Sequence, residues 1–154
     1  KKEDQILPFC VANLSYIIKD NKKRFVTGLK GAGNIDSGKI ELIPQGFCDF
    51  KDASDFSSFI TSALTKELHE EISPDLNFKN LKYLALATDD DNSQYALLTE
   101  FELPSKVLDY NGKKTKEHDK ILIVNEQELE NLIPRSSAIS KALLYFYLKL
   151  TRPF

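Results

Sequence analysis

The chain has 154 residues and a mass of 17.5 kDa, which is long enough for one domain with a substantial core. Its hydrophobic content of 42%, with ten Phe and six Tyr, excludes a disordered chain. The formal charge of −2 gives no basic field for nucleic acid or for a membrane surface, so we expect neither partner.

The composition also bears on processing and compartment. The chain contains no Met, even at position 1, so we expect a processed form or a piece of a longer protein. Cys10 and Cys48 lack the spacing of a metal site and are too few for a disulfide framework. Together with the lack of a signal peptide and of an apolar run long enough to span a membrane, they favour reduced thiols and a cytoplasmic location.

The first half of the chain predicts three strands and then a helix. Residues 1–8 are polar and are expected to be a lead-in, which leaves 9–154 as one domain. Ser54 or Asp55 is a suitable N-cap for a helix that begins near Phe56 and ends before Pro74. The strands are expected at residues 9–18, 24–29 and 40–43, with a turn after the first at Asp20-Asn21 and one after the third at Gln45-Gly46.

The second half predicts three more strands and two helices. Residues 81–88 and 94–103 flank a turn at residues 89–92, and a short strand follows at 121–124. Asn125 and Glu128 have the spacing of a capping box for a brief helix. A final helix is expected over 137–150, with Ile139, Leu143, Phe146 and Leu150 on its core face. This order of elements predicts an α/β (α+β) fold in which helices cover both faces of a mixed sheet.

The end of the first helix, Lys66–Ile72, carries the strongest chemical signal. At about 100° of rotation per residue, Glu67 and Glu71 fall in the middle of the apolar stripe, and Glu70 lies only slightly off it. These carboxylates repel one another and crowd the negative end of the helix dipole. A bound cation would explain the arrangement; the alternative is a stripe that leaves the core at its last turn. The stripe consists of Phe56, Ile60, Ala63 and Leu64, flanked by Phe59 and Leu68.

The residue types in this cluster favour a hard cation. Carboxylate oxygens suit Mg²⁺ (or Mn²⁺), which polarises phosphoryl oxygens, while a neighbouring carboxylate serves as general base. Zinc fits poorly, because His69 lies on the polar side of the helix and no Cys is near. The chain also lacks the Gly-x-Ser-x-Gly elbow of a serine hydrolase. Both His69 and His118 are expected at the surface.

The segment Lys66-Glu67-Leu68-His69-Glu70-Glu71-Ile72-Ser73 resembles the core of the Nudix box, Arg-Glu-apolar-x-Glu-Glu-x-Gly. The flanking elements are also similar to that family, with a strand that ends in Pro44-Gln45-Gly46 before the box and a strand at 121–124 after it. The departures are Lys66 in place of Arg, Ser73 in place of Gly, and a longer loop before the helix, in which Asp52 stands at the position of a family Glu.

The resemblance implies a Nudix-like mixed β-sheet sandwiched between helices. It also implies hydrolysis of a phosphoanhydride (pyrophosphate) bond in a nucleoside diphosphate linked to another moiety, with Mg²⁺ (or Mn²⁺) as cofactor. By position, Glu70 and Glu71 would be metal ligands, and Glu67 would bind the metal and activate water. The main chain of Gln45 or Gly46 and the side chain of Glu117 are further candidate ligands.

The sequence leaves open the contacts to the substrate, two alternative functions and the oligomeric state. Arg24, Lys66 and Lys113 are candidate contacts for substrate phosphates, with solvated surface charge as the alternative for each. A second function compatible with the resemblance is an inert nucleotide-binding or sensor domain of a larger protein. A third is isoprenoid diphosphate isomerisation, for which Cys48 would be the active-site thiol. A homodimer is also open, and the sequence does not identify the substrate.

Overall fold

The computed structural model describes residues 9–33, 37–48, 55–90 and 93–152. In these residues seven strands form one sheet with the order β3-β2-β1-β6-β5, in which β4 also pairs with β1 and β7 with β2. The pair β1–β6 is parallel and the other pairs are antiparallel. The elements are β1 Phe9–Lys19, β2 Lys22–Lys30, β3 Ile40–Leu42, β4 Gln45–Phe47, α1 Phe56–Glu71, β5 Lys79–Asp89, β6 Gln94–Glu102, β7 His118–Val124, α2 Glu126–Leu132 and α3 Ala138–Thr151.

The central strand β1 divides the core into two layers. Its even-numbered residues, such as Ala12 and Leu14, pack in the layer beneath α2 and α3. Its residues Val11 and Ile17 pack in the layer beneath α1. Successive side chains of a strand point to opposite faces, so a strand buried on both faces is apolar almost throughout. The mixed sheet between helices predicted from the order of elements is therefore confirmed.

Helix α1 begins and ends as the sequence predicts, but its buried face is rotated. The Asp55 side chain caps its first turn, accepting from Ser58 N–H at 2.9 Å. Phe56 is 55% exposed, whereas Phe59 is buried and packs on Phe9 with ring centroids 6.5 Å apart. The predicted core position of Phe56 is thus wrong, because the helix turns Phe59 and Leu68 toward the sheet. The same rotation places Glu71 at the centre of the buried face.

The predicted turn at Gln45-Gly46 is wrong, because these residues begin strand β4. This strand pairs antiparallel with β1, with Val11 opposite Gly46 and Ala12 opposite Gln45. The hydrogen-bonding capacity of β1 decides the conformation here, since a strand edge in the core needs a backbone partner. Pairing with Val11 fixes Gly46 on the α1 side of the sheet.

Helix α3 is anchored at its beginning and leaves the core at its end. Ser137 N–H donates to Ile40 O at 2.9 Å, and Ser140 Oγ accepts from Leu42 N–H at 2.9 Å. Leu143 is buried as predicted, but Leu150 is 60% exposed, so its predicted core position is wrong. The capping box of α2 at Asn125 is confirmed. None of the helices in the described parts of the chain is long and apolar enough to cross a membrane.

Three predictions lie wholly or partly outside the described residues. They are the lead-in at 1–8, the position of Asp52 in the loop before α1, and the second half of the turn at residues 89–92. These remain predictions from the sequence.

Candidate active site

Glu71 is the most buried carboxylate of the site. It is 1% exposed, and its Oε1 accepts from Gln45 N–H at the long distance of 3.4 Å. Its Oε2 is buried and has no hydrogen-bond partner. Burial raises the pKa of Glu71 well above its ordinary value, and the charges of Glu41 and Glu117 raise it further. A buried oxygen with spare lone pairs among negative neighbours is an arrangement that a cation would stabilise.

Glu67 lies one turn earlier on α1 and rests on β4. Its carboxyl group occupies the space that a side chain on Gly46 would take, so only glycine at this position lets Glu67 approach the strand. Burial raises the pKa of Glu67 to about 7. Glu70 and Glu117 add to this effect, while Lys66 opposes it. Without a cation, the raised pKa therefore favours the protonated form of Glu67 compared with an ordinary glutamate.

Glu70 lies at the solvent side of the cluster. Its side chain is 51% exposed and faces Lys66, with 4.0 Å between Oε1 and Nζ. The prediction that Glu70 lies only slightly off the buried face is wrong, because the rotation of α1 carries it outward. Its charge still acts on Glu67.

Glu41 is a site residue that the sequence reasoning missed. It lies in the middle of β3 and is 4% exposed. Its Oε2 contacts both His118 Nε2 at 2.9 Å and Lys30 Nζ at 3.4 Å. Among the charges that raise the pKa of Glu71, Glu41 has the largest effect. A single charged residue inside the apolar run of residues 40–43 was the sequence signal that could have revealed it.

His118 is buried, so the prediction of a surface position is wrong. It is 1% exposed and forms the first residue of β7, where its ring packs over Gly28 of β2. The strand pairs Lys30 with His118, which brings the ring to Glu41. Burial of this histidine depends on pairing between strands that are distant in sequence, and no local pattern encodes that pairing. Its Nδ1 has no hydrogen-bond partner.

Glu117 approaches the cluster from the segment before β7. It is half-buried, its carbonyl accepts from Gly31 N–H at 3.3 Å, and its charge acts on both Glu67 and Glu71. Five carboxylates from three parts of the chain therefore influence one another: Glu41, Glu117 and the three of α1. Their donor atoms are all oxygens, which fits a hard divalent cation rather than zinc. Within the described ranges, however, no three His, Cys, Asp or Glu side chains are arranged so that they could hold one ion.

Of the three candidate contacts to substrate phosphates, Lys66 borders the carboxylate cluster, and its charge acts on Glu67. Arg24 lies near the start of β2, six residues or roughly 20 Å along the strand from Lys30. Lys113 is exposed and lies over the ring of Tyr110, 5.9 Å from its centroid. Lys66 is exposed and faces Glu70.

Burial raises the pKa of Cys48 to about 12, which keeps this thiol protonated at neutral pH and does not favour the isomerase alternative.

Comparison of sequences identifies no relative, since no family model and no curated protein matches the chain. Comparison of structures finds proteins with a similar fold. A MutT/Nudix family protein from Listeria innocua is similar with a TM-score of 0.65 and 16% identity, over 93% of this chain and 92% of that one. A MutT structure, from work on Aliivibrio salmonicida and Vibrio cholerae, has a TM-score of 0.65 and 14% identity, with coverage of 93% and 98%.

A third similar structure is the Nudix domain of Shewanella oneidensis NrtR in complex with ADP ribose. Its TM-score is 0.58 and its identity 8%, over 96% of this chain and 90% of that one. The three similar structures match nearly the whole length of the chain. At such low identities the similarity concerns the fold. The chain therefore has the Nudix fold, as the resemblance at Lys66–Ser73 predicted.

Proposed function

We propose that the protein hydrolyses a phosphoanhydride bond in a nucleoside diphosphate linked to another moiety, with Mg²⁺ (or Mn²⁺) as cofactor. The observation that carries this proposal is the buried Glu71 carboxylate, whose Oε2 lacks a partner, on the last turn of the helix that follows β4. Nothing in the packing of the fold requires the further carboxylates of Glu41, Glu67, Glu70 and Glu117 in the same cluster. A divalent cation would balance their charge, and hydrolysis of a diphosphate uses such a cation.

The proposal gives each carboxylate a role. Glu71 and Glu67 would hold the cation from α1, and the exposed Glu70 side chain would have to turn inward to join them, because the side chains are not arranged around one ion in the cation-free chain. Glu117 and the main chain of Gly46 are further candidate ligands. Bound Mg²⁺ supplies charge neutralisation and polarisation of the phosphoryl oxygens. Glu41 is already engaged by His118 and Lys30, so its role would be to shape the field around Glu71.

Glu67 is the candidate general base. Burial raises the pKa of Glu67 to about 7 in the cation-free chain, and a bound cation would lower it, so that the carboxylate is ionised and able to accept a proton. The Glu67 carboxylate would accept a proton from the attacking water, and the departing phosphate would take the negative charge. Gly46 leaves room for the carboxylate beside the strand.

The structural neighbours support the class of substrate only in general terms. The Nudix domain of NrtR was solved with ADP ribose, which is a nucleoside diphosphate linked to a sugar. The chemistry of the site, with oxygen ligands for a cation that binds diphosphates, is compatible with that class. We therefore propose a small-molecule diphosphate as the substrate.

The test is a hydrolysis screen with Mg²⁺ or Mn²⁺ over nucleoside diphosphate sugars, dinucleoside polyphosphates, oxidised nucleotides and coenzymes. On the best substrate, Glu71→Gln should lower kcat by about 100- to 1,000-fold, because the site loses its buried charge. Glu70→Gln should cost about tenfold, since its carboxylate lies in solvent. Glu126→Gln, an exposed residue of α2, is the matched control and should have no effect.

Two outcomes would contradict the proposal. Undiminished turnover by Glu71→Gln would place the chemistry elsewhere. Binding of a nucleotide without turnover across the whole screen would instead favour the inert binding or sensor domain.

A further inference from the structure

Three polar side chains lie in the apolar layer beneath α1. Asn13 and Ser15 of β1 and Thr99 of β6 are each 0% exposed. Their neighbours in this layer are aliphatic and aromatic residues such as Val11 and Phe101. Burying a polar side chain is costly unless it is hydrogen-bonded, so a group of three calls for an explanation.

The three side chains form one hydrogen-bond chain that runs in a single direction. Thr99 Oγ1–H donates to Asn13 Oδ1 at 2.8 Å, and Asn13 Nδ2–H donates to Ser15 Oγ at 2.9 Å. Ser15 Oγ–H then donates to the main-chain oxygen of Ile43 at 2.5 Å. Bonds aligned in this way polarise and strengthen one another in a low-dielectric core.

The chain of hydrogen bonds ends where the candidate site begins. Ile43 lies between β3, which carries Glu41, and β4, which begins at Gln45. The next carbonyl, Pro44 O, accepts from the backbone N–H of Asn13 at 3.0 Å. Two successive carbonyls of this corner are thus held by β1. Directly after it, Gln45 N–H meets Glu71 and Gly46 meets Glu67.

We infer that Ser15 is a positioning residue for the carboxylate site. Through its bond to Ile43 O, Ser15 fixes the corner between β3 and β4 and so sets Gln45 and Gly46 against α1. The effect on catalysis rests on the proposed function. The effect on the geometry of the corner does not, and the two can be measured separately.

The test compares Ser15→Ala with a matched control, Thr27→Val. Thr27 is also 0% exposed, and its Oγ1–H donates to Leu122 O at 3.0 Å, so both variants lose a buried hydroxyl-to-carbonyl bond, while Ser15→Ala also removes the acceptor of Asn13 Nδ2–H. Only the Ser15 bond reaches the corner that precedes Gln45 and Gly46. Thr99→Val is a milder second variant, because it removes the start of the chain and leaves the bond to Ile43.

Two measurements serve as readouts. Native-state amide hydrogen exchange reports the corner, and Ser15→Ala should accelerate exchange at Gln45 and Gly46 by about five- to tenfold relative to Thr27→Val. Titration calorimetry with Mn²⁺ reports the site, and Ser15→Ala should weaken binding by about tenfold while Thr27→Val leaves it unchanged. Thr99→Val should lie between the two in both measurements.

The inference is overturned if Gln45 and Gly46 exchange at the same rate in Ser15→Ala and Thr27→Val. If Ser15→Ala fails to fold, the comparison of Thr99→Val with Thr27→Val decides in the same way. A wild-type chain that neither binds Mn²⁺ nor hydrolyses any diphosphate would contradict the proposed function. The exchange rates would still decide the role of Ser15.

Discussion

The absence of a side chain at Gly46 is part of the geometry of the candidate site. The Glu67 carboxyl group lies in the volume that a Cβ at position 46 would need. This contact brings Glu67, the proposed general base, against a strand that β1 holds in place. The glycine is required here for close approach and not for an unusual turn.

Gly46→Ala should therefore displace Glu67 and leave the fold almost intact. The group that must move is the end of a flexible side chain, so we expect the free energy of unfolding to change by less than about 1 kcal/mol. Mn²⁺ affinity should fall by about tenfold. Chemical denaturation and titration calorimetry measure the two quantities.

A double-mutant cycle with Glu67→Ala supplies the control. In the Glu67→Ala background there is no carboxyl group to displace, so adding Gly46→Ala should not weaken Mn²⁺ binding further. Equal losses in both backgrounds would show that Gly46 acts through something other than Glu67.

At the level of elements, the packing of β7 on β2 and β3 builds the other wall of the site. His118 lies over Gly28, and its Nε2 contacts Glu41 on β3. A Cβ on Gly28 would meet the His118 ring and the end of the Ile43 side chain. Both of these groups are buried, so neither has space to move into.

Gly28→Ala should destabilise the protein by about 1–3 kcal/mol, since overpacking a closed core forces strain on its neighbours. Urea denaturation measures the loss. Removing the ring with His118→Ala should relieve the overlap, so the double variant should be more stable than the sum of the two single losses indicates. Strictly additive losses would contradict this account of the packing.

The elements also show what the sequence could and could not predict. The period of 3.6 residues predicted α1 and placed Glu67 and Glu71 on its inner side, because helical periodicity is a local property. It did not predict the rotation that buries Phe59 and exposes Phe56, since that depends on the sheet beneath. Glu41 and His118 meet through the pairing of β2 with both β3 and β7. Such contacts join distant segments, and no local pattern contains them.

The whole molecule carries a pH dependence that follows from its crowded carboxylates. In the cation-free chain the pKa of Glu67 is raised from 4.5 to about 7, and that of Glu71 is raised well above 4.5. At pH values between the ordinary pKa of 4.5 and these raised pKa values, the folded state binds more protons than the unfolded state. The free energy of unfolding must therefore fall as pH rises through this window.

In EDTA we expect the melting temperature to drop by about 5 °C between pH 5.5 and pH 8, a shift that corresponds to roughly 1–2 kcal/mol. Glu71→Gln should remove part of this slope, because the amide has no proton to lose, and Glu67 should account for the rest. Adding Mg²⁺ or Mn²⁺ at pH 8 should restore the wild-type melting temperature and have little effect on the variant. Differential scanning calorimetry gives these values, and a slope unchanged in Glu71→Gln would contradict the assignment.

Strand β1 pairs with two different strands along one of its edges. Its first part pairs with β4 and its last part with β2, and Asn13 and Ser15 lie at the point of exchange. At this point the partner on that edge of β1 changes from β4 to β2. The Ser15 hydroxyl donates to Ile43 O, and the backbone N–H of Asn13 donates to Pro44 O. A mutation of these core residues that has only a mild effect on stability can thus change the geometry of the candidate site. Engineering of this core should therefore treat Asn13 and Ser15 as part of the candidate site.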